Sequence, residues 1–135
     1  MSYTVFFFMA RKSGITIEQF KDHYENKHIG LVKEYLGHLG DVLPVSHTRY
    51  YLKRNEAAKG EADVAPPLVL MGDVNSVDFD CLTIVEFRDE EHFGQFSQAQ
   101  NSSPHSAELE ADRAAFADPT NVRIMVAEGP RVTRL

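Results

Sequence analysis

The sequence predicts an α+β domain: one four-stranded antiparallel sheet with helices packed on one face. Three observations predict it. Strand and helix patterns follow the order β-α-β, a loop, then β-α-β, which is the order of a split βαβ unit. The chain has 135 residues, the size of one ordinary domain, so residues 1–135 are read as a single unit. The first strand is apolar on both of its alternating faces, more than one layer of helices can cover.

Each element follows from local chemistry. Tyr3–Ala10 is rich in aromatic and β-branched residues and reads as the first strand. Arg11–Gly14 breaks it. Thr16 and Gln19 stand at the spacing of a capping box, and Ile17, Phe20, Tyr24 and Leu31 recur with helical period. Gly30 marks a break, and a second helical stretch runs from Leu31 to Leu39. Pro44–Arg54 reads as a strand with Val45, His47, Arg49 and Tyr51 on one face and Ser46, Thr48, Tyr50 and Leu52 on the other.

Residues 55–78 carry no periodic pattern, and long connections of this kind often serve function. Their Leu68–Met71 patch reads either as a lid over a pocket or as surface packing. Phe79–Phe87 is the clearest strand, with Asp80 and Glu86 on the face of Leu82 and Ile84. Asp89 caps a helix through Phe93 and Phe96. Ser103-Pro104 opens another that reaches Phe116, with proline in a tolerated first-turn position. Asp118-Pro119 stops it, and Asn121–Glu128 is the last strand. The whole is a ferredoxin-like arrangement. Its doubly apolar strands predict a second copy over the open sheet face, a dimeric α+β barrel.

Composition narrows the function classes. The net charge is −6 and the basic residues are scattered, so a nucleic-acid surface is not expected. The apolar run Tyr3–Ala10 is about eight residues, far below the ~20 that span a bilayer, and it lacks a basic leader. The single cysteine, Cys81, forms no internal disulfide and reads as a buried structural thiol in a reducing, cytoplasmic setting. No phosphate-cradling glycine loop, nucleophile elbow or zinc-protease motif is present. Neither a metal nor an organic cofactor is expected.

What remains is an acid/base set. Histidine exchanges protons near neutral pH, tyrosine donates to a developing oxyanion, and a half-buried aspartate orients a histidine or acts as a base. The candidate catalytic residues are His28 at the helix break, His47 on the second strand and Asp80 on the third. Arg49, Tyr50 and Tyr51 neighbour His47, and Tyr24 lies one helical turn before His28. His23 and His28 are five apart, about 500° around an α-helix, and so are not expected to share a face. His23, His38, His92 and His105 fall on presumed helix surfaces.

Gly14–Phe20 followed by Tyr24–His28, then Phe79-Asp80 opening a strand to Phe87 with Asp89–Phe93 behind it, and the tail Asp112–Asp118 resemble the EthD-domain family. The resemblance covers nearly the whole chain except residues 55–76. It implies a dimeric α+β barrel. The length and the strand His47–Tyr50 look most like fungal EthD-type enzymes of aromatic polyketide pathways, which are similar to decarboxylases of anthraquinone-type carboxylic acids.

On that likeness, the expected function is cofactor-independent decarboxylation of an aromatic polyketide acid. His28 or His47 gives the proton and Asp80 orients a histidine. Tyr50 or Tyr51 binds the phenolate oxygen, Arg49 holds the carboxylate, and Phe6 and Phe8 line a flat pocket. Cofactor-free anthrone oxygenation, cyclisation or dehydration, and ligand binding by a non-catalytic dimer are the alternatives.

Overall fold

The computed structural model describes residues 2–135. Strand β1 (Tyr3–Arg11) leads into helix α1 (Ile17–His23), a turn of π-helix at Tyr24–His28, and helix α2 (Ile29–Leu36). Strands β2 (Ser46–Tyr51) and β3 (Cys81–Phe87) follow, then helices α3 (Glu90–Ser102) and α4 (Ser106–Ala114), and strand β4 (Ala117–Ala127). The sheet order is β2-β3-β1-β4, antiparallel throughout. This is the ferredoxin-like α+β fold anticipated above. Among the described residues no helix is long and apolar enough to cross a membrane.

The capping box forms as its spacing predicts. Gln19 N–H donates to Thr16 Oγ1 at 3.0 Å, and Thr16 N–H donates to Gln19 Oε1 at 2.8 Å. Two of the four orphan donors at the helix start are thereby satisfied. The helix does not break at Gly30. Its irregularity comes earlier, where Ile29 N–H donates to Tyr24 O across five residues. Such a π turn admits one extra residue without ending the helix.

Strand parity decides what each side chain meets. Val5 and Met9 point under the helices and are fully buried. Met9, Phe20, Tyr24, Cys81, Phe116 and Ala117 form the main core, and Val5, Val85 and Phe87 a second one. Cys81 is fully buried, and burial pushes its thiol up to about 11, which leaves it protonated and inert. On β2, half-buried His47, Arg49 and Tyr51 alternate with exposed Ser46, Thr48 and Tyr50, the two faces expected.

Two further elements depart from expectation, β4 and His92, and of the two readings of Leu68–Met71 the lid is overturned. β4 starts at Ala117 and runs through Pro119; it is an edge strand, where a missing N–H is tolerated, and its register against β1 shifts between Met9 and Arg11. The Leu68–Met71 patch covers no pocket: Leu70 and Met71 are 92% and 94% exposed. His92 is not on a wet helix surface but 1% exposed. Its Nδ1 accepts Arg88 N–H at 3.1 Å, so its Nε2–H donates to Leu43 O at 3.0 Å. That bond ties the chain before β2 to α3, where Leu43 and Pro44 line the cavity described next.

Candidate functional site

A cavity of about 460 Å³ opens between the helices and the sheet. Phe7, Val85, Phe87, Phe93 and Phe96 supply apolar walls, and Tyr24, His28 and His47 supply polar groups. A few directed polar atoms in an apolar hollow are the usual make-up of a small-molecule site.

The π turn builds its first part. In a regular α-helix His23 and His28 would point apart; the inserted residue brings both onto one side, against Asp112 of α4. His23 Nε2 and His28 Nδ1 each lie 2.9 Å from the Asp112 carboxylate, and Lys27 Nζ lies at 3.3 Å. The expectation that His23 and His28 face apart is therefore corrected. Burial alone would raise the Asp112 carboxyl; the donors from His23, His28 and Lys27 outweigh it and hold the group below its ordinary range. Asp112 is thus ionised and can only accept, so His28 carries its proton on Nδ1 and keeps a lone pair on Nε2. Burial lowers the His28 imidazole, against the pull of Asp112, so the ring is neutral at neutral pH.

His47 is set the other way round. Arg49 Nη1–H donates to His47 Nδ1 at 2.9 Å, and a guanidinium never accepts. The neutral ring therefore carries its proton on Nε2, which stands 3.4 Å from the Tyr24 hydroxyl. Tyr24 in turn lies 2.8 Å from Thr83 Oγ1 and is held by burial well above the usual phenol range. Burial, then the charge of Arg49, brings His47 down to about 4. One cavity thus holds a histidine with a free lone pair and another whose N–H makes only a long contact with Tyr24.

Of the residues expected at the site, the structure brings together His28, His47, Tyr24 and Arg49 on the cavity. Arg49 does not present a free fork. Its Nε and Nη2 donate to Glu25 at 2.5 and 2.9 Å, and Tyr51 donates to the same carboxylate at 2.6 Å. Arg49 orients His47, and Tyr51 braces Glu25. Phe6, Phe8 and Tyr50 lie on the opposite face of the sheet, because each is one residue out of phase with Phe7 and Arg49. Asp80 does not reach either histidine. It accepts Arg11 N–H at 2.6 Å and pairs with the half-buried Arg54.

Asp112 was missed as a site residue. Its signal was the stripe Leu109, Asp112, Phe116, which places a carboxylate on the apolar face of a helix. No group of three or more His, Cys, Asp or Glu side chains with metal-holding geometry occurs among the described residues.

The two lowered histidines make stability depend on acid. An unfolded histidine takes a proton near pH 6.5, whereas folded His47 resists down to about 4. Between those values the unfolded chain binds more protons, so stability is full above pH 6.5 and falls as pH drops toward 4. His28 acts in the same direction. Urea unfolding at pH 4.5 should show about 2 to 3 kcal/mol less stability than at pH 7.5. His47→Gln should remove most of that difference. Equal midpoints for the native chain at the two pH values would contradict a buried neutral His47.

The EthD domain family matches residues 12–120. Among solved structures, an EthD-like protein of Ralstonia eutropha JMP134 is 20% identical with a TM-score of 0.56, covering 94% of this chain and 90% of its own. An EthD family protein of Bacillus halodurans C-125 is 14% identical with a TM-score of 0.55, covering 96% of this chain and 100% of its own. At such identities these likenesses concern the fold. No curated protein matches the chain. The family match spans most of the sequence and includes β2, the π turn and Asp112, and the chain belongs to the EthD-domain family.

Proposed function

We propose that the protein is a cofactor-independent enzyme that decarboxylates a hydroxyaromatic carboxylic acid of the polyketide type. The observation that carries this reading is the pair of opposed partners on one cavity: Asp112 on His28 Nδ1, which assigns a lone pair to His28 Nε2, and Arg49 on His47 Nδ1, which assigns an N–H to His47 Nε2. His28 takes the phenolic proton of the substrate, and Asp112 steadies the imidazolium that forms. The oxyanion so created accepts from His47 Nε2–H, whose long contact with Tyr24 leaves it free to turn to substrate. His28 then returns the proton to the ring carbon bearing the carboxylate. The carbon–carboxylate bond breaks, its electrons restore the aromatic ring, and CO₂ leaves. A hydroxyaryl carboxylate becomes a phenolate plus CO₂, with no oxidant or metal required.

The apolar walls suit a flat ring system, and the likeness of the His47–Tyr50 strand to polyketide-tailoring relatives supplies the substrate class. The free Cys81 suits a reducing, cytoplasmic setting. The working unit is a homodimer. Phe6, Phe8, Leu82 and Ile84 form a continuous apolar strip on the sheet face away from the helices, flanked by Tyr50 and Met125, 55% and 46% exposed. A second copy of the same strip is its natural cover.

The test is CO₂ release under argon from 1-hydroxy-2-naphthoate and from hydroxyanthraquinone carboxylic acids. The native protein should exceed the buffer rate on at least one of them, and His28→Gln should lose at least about a hundredfold. Absence of CO₂ release removes decarboxylation. Oxygen uptake in air without CO₂ would instead make the same base an oxygenase's.

A further inference from the structure

The cavity is charged against the grain of the molecule. The chain carries 20 acidic and 14 basic residues, yet no Asp or Glu lines the hollow, whereas Lys33, Arg49 and Arg113 do. Arg49 is neutralised by Glu25. The other two cations have no hydrogen-bond or ion-pair partner among the described residues.

Both are placed there by helix geometry. Lys33 lies one turn after Ile29 on α2, and Ile29 is itself part of the cavity wall. Arg113 follows Asp112 in the last turn of α4. Asp112 turns to the histidines, and its neighbour, half-buried, lines the cavity. Arg113 is near enough for its charge to lower the His28 imidazole. A planar guanidinium with five donors and none of them used is suited to a carboxylate, which it grips in two parallel bonds.

We infer that Arg113, assisted by Lys33, is the anion-recognising group of the cavity and selects substrates that carry a carboxylate on an aromatic frame. This rests on the reading of the cavity as the substrate site, and it replaces Arg49 in the role expected from sequence. An anion bound to Arg113 lies at the His28 end of the cavity. The ring carbon that bears the carboxylate is then brought to the proton that must be delivered there. The leaving group is CO₂, which is neutral, so the clamp releases it without a charge to hold it back.

The experiment is equilibrium binding of two probes that differ by one group, 2-naphthoate, which has no phenol and so is not turned over, and 2-naphthol. The chain contains no tryptophan, so naphthalene fluorescence is read without overlap from indole. The native protein should bind the carboxylate more tightly than the naphthol. Arg113→Gln should weaken the carboxylate by about tenfold to a hundredfold while changing the naphthol by less than about threefold. Arg113→Lys should recover part of the loss, and Lys33→Gln should show a smaller one of the same selectivity.

Retained naphthol binding in Arg113→Gln doubles as proof that the cavity has kept its shape. Equal binding of both probes by the native protein would overturn the clamp and leave decarboxylation standing on its own CO₂ test. Parallel loss of both probes in Arg113→Gln would show a residue that shapes the wall, and would also overturn it. Failure of the native protein to bind either probe would overturn the cavity reading and the clamp with it.

Discussion

Asp112→Asn should lower kcat for decarboxylation of a hydroxyaromatic acid by about three to four orders of magnitude with the fold intact. The size follows from how the replacement must sit. One carboxylate oxygen, Oδ1, faces His23 and Lys27, and the other, Oδ2, faces His28. The Lys27 ammonium can only donate, so an amide places its oxygen on that side and turns its NH₂ toward His28. His28 Nδ1 must then accept, and its proton moves to Nε2. The base loses its lone pair on the cavity side without moving. A second loss adds to the first, because no negative charge is left to steady the imidazolium. Two measurements check this: kcat at neutral pH, and the ring-nitrogen shifts of His28 by NMR. The shifts should report Nδ1–H in the native chain and Nε2–H in the variant. A kcat within tenfold of native, with the tautomer unchanged, would sink the assignment of His28 as base.

The elements were legible because they obey simple periods. Thr16 and Gln19 announced the helix start, and the alternation from Val45 to Leu52 gave the two faces of β2 that the structure shows. The π turn was not legible. Period-3.6 reasoning assumes four-residue hydrogen bonds, and nothing in Tyr24–His28 announces a five-residue one. That single irregularity hid the meeting of His23, His28 and Asp112. β1 hid another part. With Phe6, Phe7 and Phe8 in succession, hydrophobicity cannot say which ring faces the helices. Only pairing with β3 does: Phe7 lies opposite Thr83, which reaches Tyr24, whereas Phe6 and Phe8 lie opposite Ile84 and Leu82 on the open face. The same pairing excludes Asp80 as a partner of His47. His47 pairs with odd-numbered Val85, and Asp80 shares the even set with Leu82 and Glu86. A carboxylate on the wrong side of a sheet cannot orient an imidazole on the other.

Asp80→Ala should therefore destabilise the protein by about 3 kcal/mol or more and leave the chemistry of the folded molecule intact. Asp80 sits where three segments meet. Its backbone N–H donates to Met9 O at 2.8 Å and its carbonyl accepts Leu52 N–H at 3.0 Å. Its carboxylate caps Arg11 N–H, at the point where the register of β1 against β4 shifts. It also neutralises Arg54, whose side chain is only 12% exposed and whose Nε is buried without a hydrogen-bond partner. Removing the carboxylate leaves a buried guanidinium with Ala65 O alone, 3.5 Å from Nη1. An uncompensated buried charge of this kind costs far more than the pair contributed, because its desolvation is no longer offset. Arg54 also anchors the long connection after β2 through its backbone bridge to Pro67, so that segment should loosen first and show early amide exchange. Arg54→Met in the Asp80→Ala background should restore part of the lost stability, since it removes the orphaned charge and keeps the bulk. Unfolding by urea measures both. An Asp80→Ala protein of native stability that had lost kcat by a hundredfold would return Asp80 to the catalytic set and overturn its role as a pin between strands.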